Sequence, residues 1–318
     1  LVDRTNRKIS YIVIKEDKQM GRWNIRWSIL LVLWCVTGVK LAAMKVESLD
    51  RGWFFNRGYE SQAADKVTVD LPHTWNAADA MFGNVNYYRG MSTYSRFIVV
   101  PSSENFKRVF LRVKAAQTVA DVYLDNHFVA QHKGGYTSFT VELTHLIRKG
   151  EKHKLDIRVS NAQTMEIAPI CGDFNIWGGL NRGVELLYTD DACIDPTFYG
   201  SSGVFFTQCD VSEKYAGLEM KALLSGTEMA LNDCSIEFSL LDAKRKVAWC
   251  KETSVSGKEA LVKMELNNPH LWDGVNDPYL YTGVVVLKRG GKEIDRREEH
   301  VGFRFYSADP DKGFFLNG

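Results

Sequence analysis

The chain lacks an excess of charge of either sign. Lys and Arg number 40 against 39 Asp and Glu, a formal net charge of +1 over 318 residues. So balanced a chain carries no basic field for a nucleic-acid backbone, which excludes nucleic acid as the expected partner. Cysteine is scarce, six in all, and no two have C-x-x-C spacing, so neither a zinc ribbon nor a redox dithiol is indicated. Cys35 falls in an apolar N-terminal stretch. The others, Cys171, Cys193, Cys209, Cys234 and Cys250, are odd in number and are expected as small buried hydrophobes. His73, His127 and His132 lack H-x-x-x-H spacing and are expected as surface or hydrogen-bonded side chains. Ser138 and Ser201-Ser202 have no nucleophile-elbow context. Internal repeats and low-complexity tracts are absent. The apolar run Ile29–Val36 falls short of the roughly 20 residues a bilayer span needs.

That run follows Arg22 and Arg26 and precedes the small residues Ala42 and Ala43. A basic, then apolar, then small-residue order is that of a secretory signal. Residues 1–43 are therefore expected to be upstream sequence and signal peptide, with the mature protein starting near Met44. Export to the periplasm or cell exterior follows.

Hydrophobic residues make up 45% and charged residues 25%, the composition of a folded chain. The length favours two ordinary domains. Aromatics reach 12%, with 8 Trp, 13 Tyr and 17 Phe. They suit β-rich cores, and an aromatic face also suits the C–H face of a pyranose.

Short strands separated by turns dominate from Lys45 onward. Lys66–Asp70, Tyr94–Val100, Lys107–Val113, Ala120–Leu124, Phe139–Leu143, Leu155–Ser160 and Val184–Tyr188 are rich in Val, Phe, Tyr and Thr, and several alternate apolar with polar residues. Asp125-Asn126 sits between two such runs as a tight hairpin turn. A second series runs Val204–Val211, Leu218–Leu224, Ser235–Leu241, Val247–Lys251, Leu261–Leu266, Tyr281–Lys288 and Glu293–Val301, with Gly290-Gly291 as the last turn. Many short strands with little helical pattern predict an all-β protein of two sandwiches. The spacing of the second series fits an immunoglobulin-like sandwich.

A set of phrases then appears in a fixed order. Leu71-Pro72-His73-Thr74-Trp75-Asn76 comes first, followed by Tyr87-Tyr88-Arg89-Gly90. Ala120-Asp121-Val122-Tyr123-Leu124-Asp125 leads to Gly134-Gly135-Tyr136-Thr137-Ser138-Phe139. Asp173-Phe174 precedes Gly178-Gly179-Leu180-Asn181-Arg182. Asn268-Pro269-His270-Leu271-Trp272 precedes Asp277-Pro278-Tyr279-Leu280-Tyr281, and Gly302-Phe303-Arg304 precedes Gly313-Phe314-Phe315-Leu316-Asn317-Gly318. Together these resemble the non-catalytic front of family 2 glycoside hydrolases, most like the β-galactosidases, across residues 49–318. Thr74 and Asn181 depart from the family pattern, which often has Asp and an aromatic there. Locally, the paired glycines are expected to supply positive φ at 134–135 and a close backbone approach at 178–179. Trp272 and Tyr281 are expected to pack the second sandwich.

The resemblance implies a jelly-roll, galactose-binding-like sandwich over 44–190, an immunoglobulin-like sandwich over 191–303, and the opening of a catalytic TIM barrel at 304–318, about one strand. It implies that Asp173 reaches into the active site, holding sugar hydroxyls and a nearby cation, magnesium or sodium, in the complete enzyme. A solvated loop carboxylate is the competing reading of Asp173. Asn84 and Asn86 are weaker substrate-binding candidates in a loop near the same pocket. No catalytic residue and no cofactor is assigned to this chain. The two glutamates that cleave the sugar belong to the family's barrel and match no position here. The expected whole is a retaining exo-β-glycosidase that hydrolyses terminal β-galactosides in carbohydrate catabolism, with β-glucuronides or β-mannosides as alternative substrates. The expected partner of this portion is a β-galactoside or another glycan. A carbohydrate-binding or assembly module, including a homo-oligomer contact, is the competing expectation.

Overall fold

Alternation of inward and outward side chains marks strands such as Val119–Leu124 and Glu259–Asn267 of this protein. A computed structural model describes residues 44–58, 67–79, 81, 88–103, 105–168 and 175–318. The expected leader, residues 1–43, lies outside the described residues, as do Asn84, Asn86, Cys171 and Asp173.

The first sandwich has strands β1 (Lys45–Ser48), β2 (Trp53–Arg57), β3 (Val67–Val69), β4 (Met91–Val99), β5 (Arg108–Val113), β6 (Val119–Leu124), β7 (His127–Lys133), β8 (Phe139–Glu142), β9 (Lys152–Ser160) and β10 (Val184–Thr189). They form a six-stranded sheet, β3-β2-β4-β9-β6-β7, and a four-stranded sheet, β1-β10-β5-β8. All pairings are antiparallel. Trp53, Tyr94, Val122 and Ile157 from one sheet meet Leu111, Val113, Leu186 and Tyr188 from the other in one core. This is the jelly-roll. Strand β10 is buried on both faces: Val184, Leu186 and Tyr188 face the core, and Leu187 packs with Phe110, Cys193 and Met44 on the outer side.

The second sandwich follows with β11 (Cys193–Ile194), β12 (Val204–Cys209), β13 (Tyr215–Ser225), a short helix α1 (Glu228–Asn232), β14 (Cys234–Leu241), β15 (Val247–Ser254), β16 (Glu259–Asn267), β17 (Tyr281–Arg289) and β18 (Lys292–Val301). One sheet runs β15-β14-β17-β18, and in the other β13 pairs with β11, β12 and β16. Ala216, Leu218, Met220, Phe238, Val262, Val285 and Phe303 fill the core of this immunoglobulin-like unit. Helix α1 is capped by the Thr227 hydroxyl, which accepts from the Ala230 N–H at 3.2 Å.

Some local expectations change. Of the 134–135 glycines only Gly134 takes positive φ, 132°. Gly135 packs closely, and a Cβ there would lie 2.3 Å from Gln117 Oε1, so the end of that side chain would have to shift. Cys193 and Cys234 are buried but Cys209 and Cys250 are exposed, and all four are free. After Phe303 the chain forms a hairpin rather than a single strand, β19 (Tyr306–Asp309) with β20 (Gly313–Leu316). Strands β1, β2, β7 and β11 were not signalled by sequence pattern. No helix among the described residues is long and apolar enough to cross a membrane.

The seam between the sandwiches is charged. Lys107 bonds Asp190 and Asp191 at 3.3 and 3.1 Å, and Arg289 of β17 bonds Asp191 at 2.5 Å. Burial opposes ionisation of Asp191, but these two cations outweigh it and hold its carboxyl well below the usual range. Arg108 chelates Glu142 and reaches Ser225 Oγ on β13 at 3.0 Å. Fully buried Asp295 pairs with Arg297 and accepts the Ile194 N–H at 2.8 Å. Arg297 in turn donates to Ser202 O, Ile194 O and Met44 Sδ.

Candidate functional site

The three expected site residues lie in two segments, 82–87 and 169–174, that are outside the described residues. What the structure does describe is the platform from which both segments leave. It is made of the 73–79 turn, the 88–90 turn, Asn161 at the end of β9, and the 175–181 stretch.

Asn76, fully buried, is the hub. Its amide donates to Asn175 Oδ1 at 2.8 Å and to Ile176 O at 2.9 Å, and its Oδ1 accepts from the Gly178 N–H at 2.9 Å. Asn175 returns a bond to Asn76 O at 3.1 Å. Asn161, also fully buried, donates from one amide to both Tyr88 O and Ile176 O, at 3.0 and 2.8 Å, and accepts from the Gly90 N–H at 2.9 Å. Tyr88 is the second residue after Asn86, and Asn175 is the second after Asp173. The amide of Asn161 thus ties together the chain on which the two segments end. Tyr88 is held further by Asp79, which accepts its N–H at 2.8 Å, and by the Arg57 guanidinium over its ring at 5.0 Å. Buried polar groups satisfied this completely rigidify a site.

The Leu71–Asn76 phrase is locked by a second network. Tyr94 OH and His73 Nδ1 lie 2.7 Å apart. Burial, and then the charge of Arg57, lower the His73 pKa, while burial raises that of Tyr94 against the effect of the Leu180 N–H on its hydroxyl. A neutral imidazole whose Nδ1 accepts a hydrogen bond from the Tyr94 hydroxyl satisfies both. His73 is thus one of the hydrogen-bonded histidines expected from sequence. The 178–179 glycines permit the close approach expected of them. A Cβ on Gly178 would sit 2.1 Å from the Trp75 ring, and one on Gly179, at φ 140°, would sit 2.2 Å from His73 O. Thr74 and Asn181, the two departures from the family pattern, are partners: Thr74 Oγ1 donates to Asn181 Oδ1 at 3.3 Å.

Sequence reasoning missed Asn76, Asn161 and Asn175 as a unit, and it missed Trp177. That ring is 45% exposed beside the platform. Only the phrase around Asn76 carried a signal. Among the described residues no three His, Cys, Asp or Glu side chains converge as metal ligands. With Asp173 outside them, no step here is assigned to a cation.

Residues 51–190 match the family description "Glycosyl hydrolases family 2, sugar binding domain", and residues 203–304 match "Glycosyl hydrolases family 2". A β-glucuronidase of Bacteroides fragilis is 38% identical over 85% of this chain, which covers 39% of that protein. A β-galactosidase of Bacteroides ovatus is 28% identical over 89% of this chain and 34% of its own length. A solved putative β-galactosidase from Bacteroides fragilis superposes with a TM-score of 0.82 at 31% identity, over 87% of this chain and 43% of that one. This chain therefore spans between 34% and 43% of the length of these relatives. On these matches, and on the order of its motifs along two sandwiches, the chain belongs to glycosyl hydrolase family 2.

Proposed function

We propose that this chain is the scaffold and active-site rim of a retaining, exo-acting β-glycosidase that removes terminal β-linked sugars. The observation that carries the reading is the Asn76–Asn161–Asn175 clamp, which fixes the chain on either side of the segments bearing Asn84, Asn86 and Asp173. Rigid support is what a substrate-holding residue requires. A carboxylate at Asp173 suits sugar hydroxyls because charged acceptors form the stronger hydrogen bonds. A cation beside Asp173 would belong to the same site.

Retaining hydrolysis needs two carboxyl groups about 5–5.5 Å apart, one to protonate the leaving oxygen and one to attack the anomeric carbon. In the family both come from a barrel of about 250 residues, so residues 1–318 alone are read as catalytically silent. The substrate is a terminal β-glucuronide or β-galactoside. The 38%-identical glucuronidase supports the first, and the galactosidases of Bacteroides support the second. The basic and apolar pattern before Met44 supports export.

Nitrophenyl β-D-glucuronide and β-D-galactoside test the reading. The 318-residue chain should turn over neither. The product of the whole reading frame that contains it should turn over one, and Asp173→Ala in that protein should lower kcat/KM on the order of 100-fold. Turnover by the chain alone would refute the scaffold reading, as would an Asp173→Ala enzyme of unchanged kcat/KM.

A further inference from the structure

We infer that the seam between the two sandwiches carries a binding cleft for a neutral pyranose of a glycan chain, built on the exposed ring of Tyr199. The cleft has a volume of about 480 Å³ and is lined from both sides, by Gln131, His132 and Thr140 of the first sandwich and by Asp195, Phe198 and Tyr199 of the second. That volume lies within the range of about 300–1,000 Å³ usual for small-molecule sites. None of these residues belongs to the Asn76 clamp.

The turn that presents Tyr199 is held on every side. Asp195 N–H donates to Leu223 O at 2.8 Å, and Asp195 Oδ1 accepts from the N–H and the hydroxyl of Thr197 at 2.8 and 2.7 Å. The Ser201 N–H and hydroxyl both reach Phe198 O, at 2.9 and 2.7 Å. From the other sandwich, Ser138 Oγ donates to Gly200 O at 2.8 Å. Gly200 itself, at φ 67°, lies so close that a Cβ would be 2.1 Å from Ser138 O. Tyr199 is left at φ 47° and 88% exposed, with its ring edge-on to Phe198 at 4.9 Å. A non-glycine residue in the left-handed region is uncommon. An aromatic this exposed gains almost nothing from burial. A rigid turn that holds a ring in water, at little entropy cost to a ligand, is what stacking on a sugar uses.

The lining says which sugar. Among the polar groups that line the cleft is the Asp195 carboxylate, an acceptor for sugar hydroxyl protons. The cleft has an Asp but no Lys or Arg in its lining. Burial lowers the pKa of His132, whose ring stacks on Phe139 at 4.5 Å, so it stays neutral at neutral pH. A uronate or phosphate would meet the Asp195 carboxylate in a lining that offers no Lys or Arg to pair with it. A neutral pyranose meets an acceptor for its hydroxyl protons and an aromatic face.

Affinity electrophoresis of the whole chain tests this, in gels containing β-1,4-galactan, xyloglucan, xylan or galactomannan, with polygalacturonate as the anionic comparison. Retardation is expected in at least one neutral gel. Tyr199→Ala, at an exposed position, should raise the apparent Kd at least about tenfold with an unchanged melting temperature. Asp195→Asn should weaken binding in the same gel, while Asp173→Ala should not. The inference fails if no neutral gel retards the chain, if Tyr199→Ala migrates as the parent does, or if polygalacturonate retards it most. Loss of this binding leaves glycoside turnover untouched, so the two proposals fail separately.

Discussion

Gly178 shows how much of the platform depends on single atoms. The Trp75 ring, stacked on Phe55 at 6.1 Å, occupies the space where a side chain at 178 would begin. Gly178→Ala must therefore push a buried indole out of its packing. Overpacking of this kind costs about 1–3 kcal/mol. Urea denaturation should record that loss, and a variant as stable as the parent would show that the Trp75 packing is loose. The same residue-scale logic explains Thr74 and Asn181. Each departs from the family pattern, but the hydroxyl of one meets the amide oxygen of the other, so neither is left unpaired. From sequence they read as two unrelated exceptions, because they lie 107 positions apart.

Among the elements, the hairpins were the easiest to anticipate. Asp125 and Asn126 adopt φ of 49° and 67°, and Gly290 and Gly291 adopt 56° and 74°. Those residue types tolerate the left-handed region, and tight hairpins require it. Strand β6 was legible for a similar local reason, since Ala120, Val122 and Leu124 alternate inward. Strand β2 was not, because Trp53-Phe54-Phe55 offers three aromatics in a row and only the fold turns Phe54 outward. Strand β7 is a largely polar edge strand with no apolar face to detect. The β19–β20 hairpin forms a two-stranded sheet of its own. Asn317 ties it down, with Oδ1 accepting the Phe305 N–H at 3.2 Å and Nδ2 donating to Trp272 O at 3.1 Å. Asn317→Gly keeps the left-handed φ of 55° available and removes both bonds. Amide exchange should speed up across 306–316 while the sandwiches keep their protection. Exchange that does not change would mean that Asn317 is not the tether.

At the scale of the molecule, the second sandwich holds a buried ion pair beside the seam. Asp295 sits at 0% exposure with Arg297 as its cation. Burial raises its carboxyl above the ordinary value, against the opposing effects of Arg297 and the Ile194 N–H. Arg297→Met would remove the compensating charge and cost about 3–5 kcal/mol at neutral pH. The pH dependence has a definite sign. A carboxyl whose folded pKa is raised contributes stability that is present below its unfolded value, about 3.9, and is lost as pH rises through the folded value. The variant raises that value further, so its deficit should be smallest near pH 4 and widest near pH 7. Denaturation curves at the two pH values would show it, and an equal deficit at both would mean Asp295 finds another cation. Asp191 behaves in the opposite sense. Its carboxyl is held low by Arg289 and Lys107, so its contribution fades as pH falls.

Sequence alone determined what depends on neighbours in the chain: the all-β class, the turns, the inward and outward faces of the alternating strands, and the ordered phrases that mark the family. Periodicity and turn chemistry act over a few residues and are written there. Tertiary structure alone decided which distant polar groups meet. Asn76 and Asn175 lie 99 positions apart, and Asn161 bridges Tyr88 and Ile176. Arg289 crosses from β17 to Asp191, and Ser138 reaches over the seam to shape the turn that exposes Tyr199. A hydrogen bond depends on angstroms in space, and separation along the chain does not encode that distance until both sandwiches have closed.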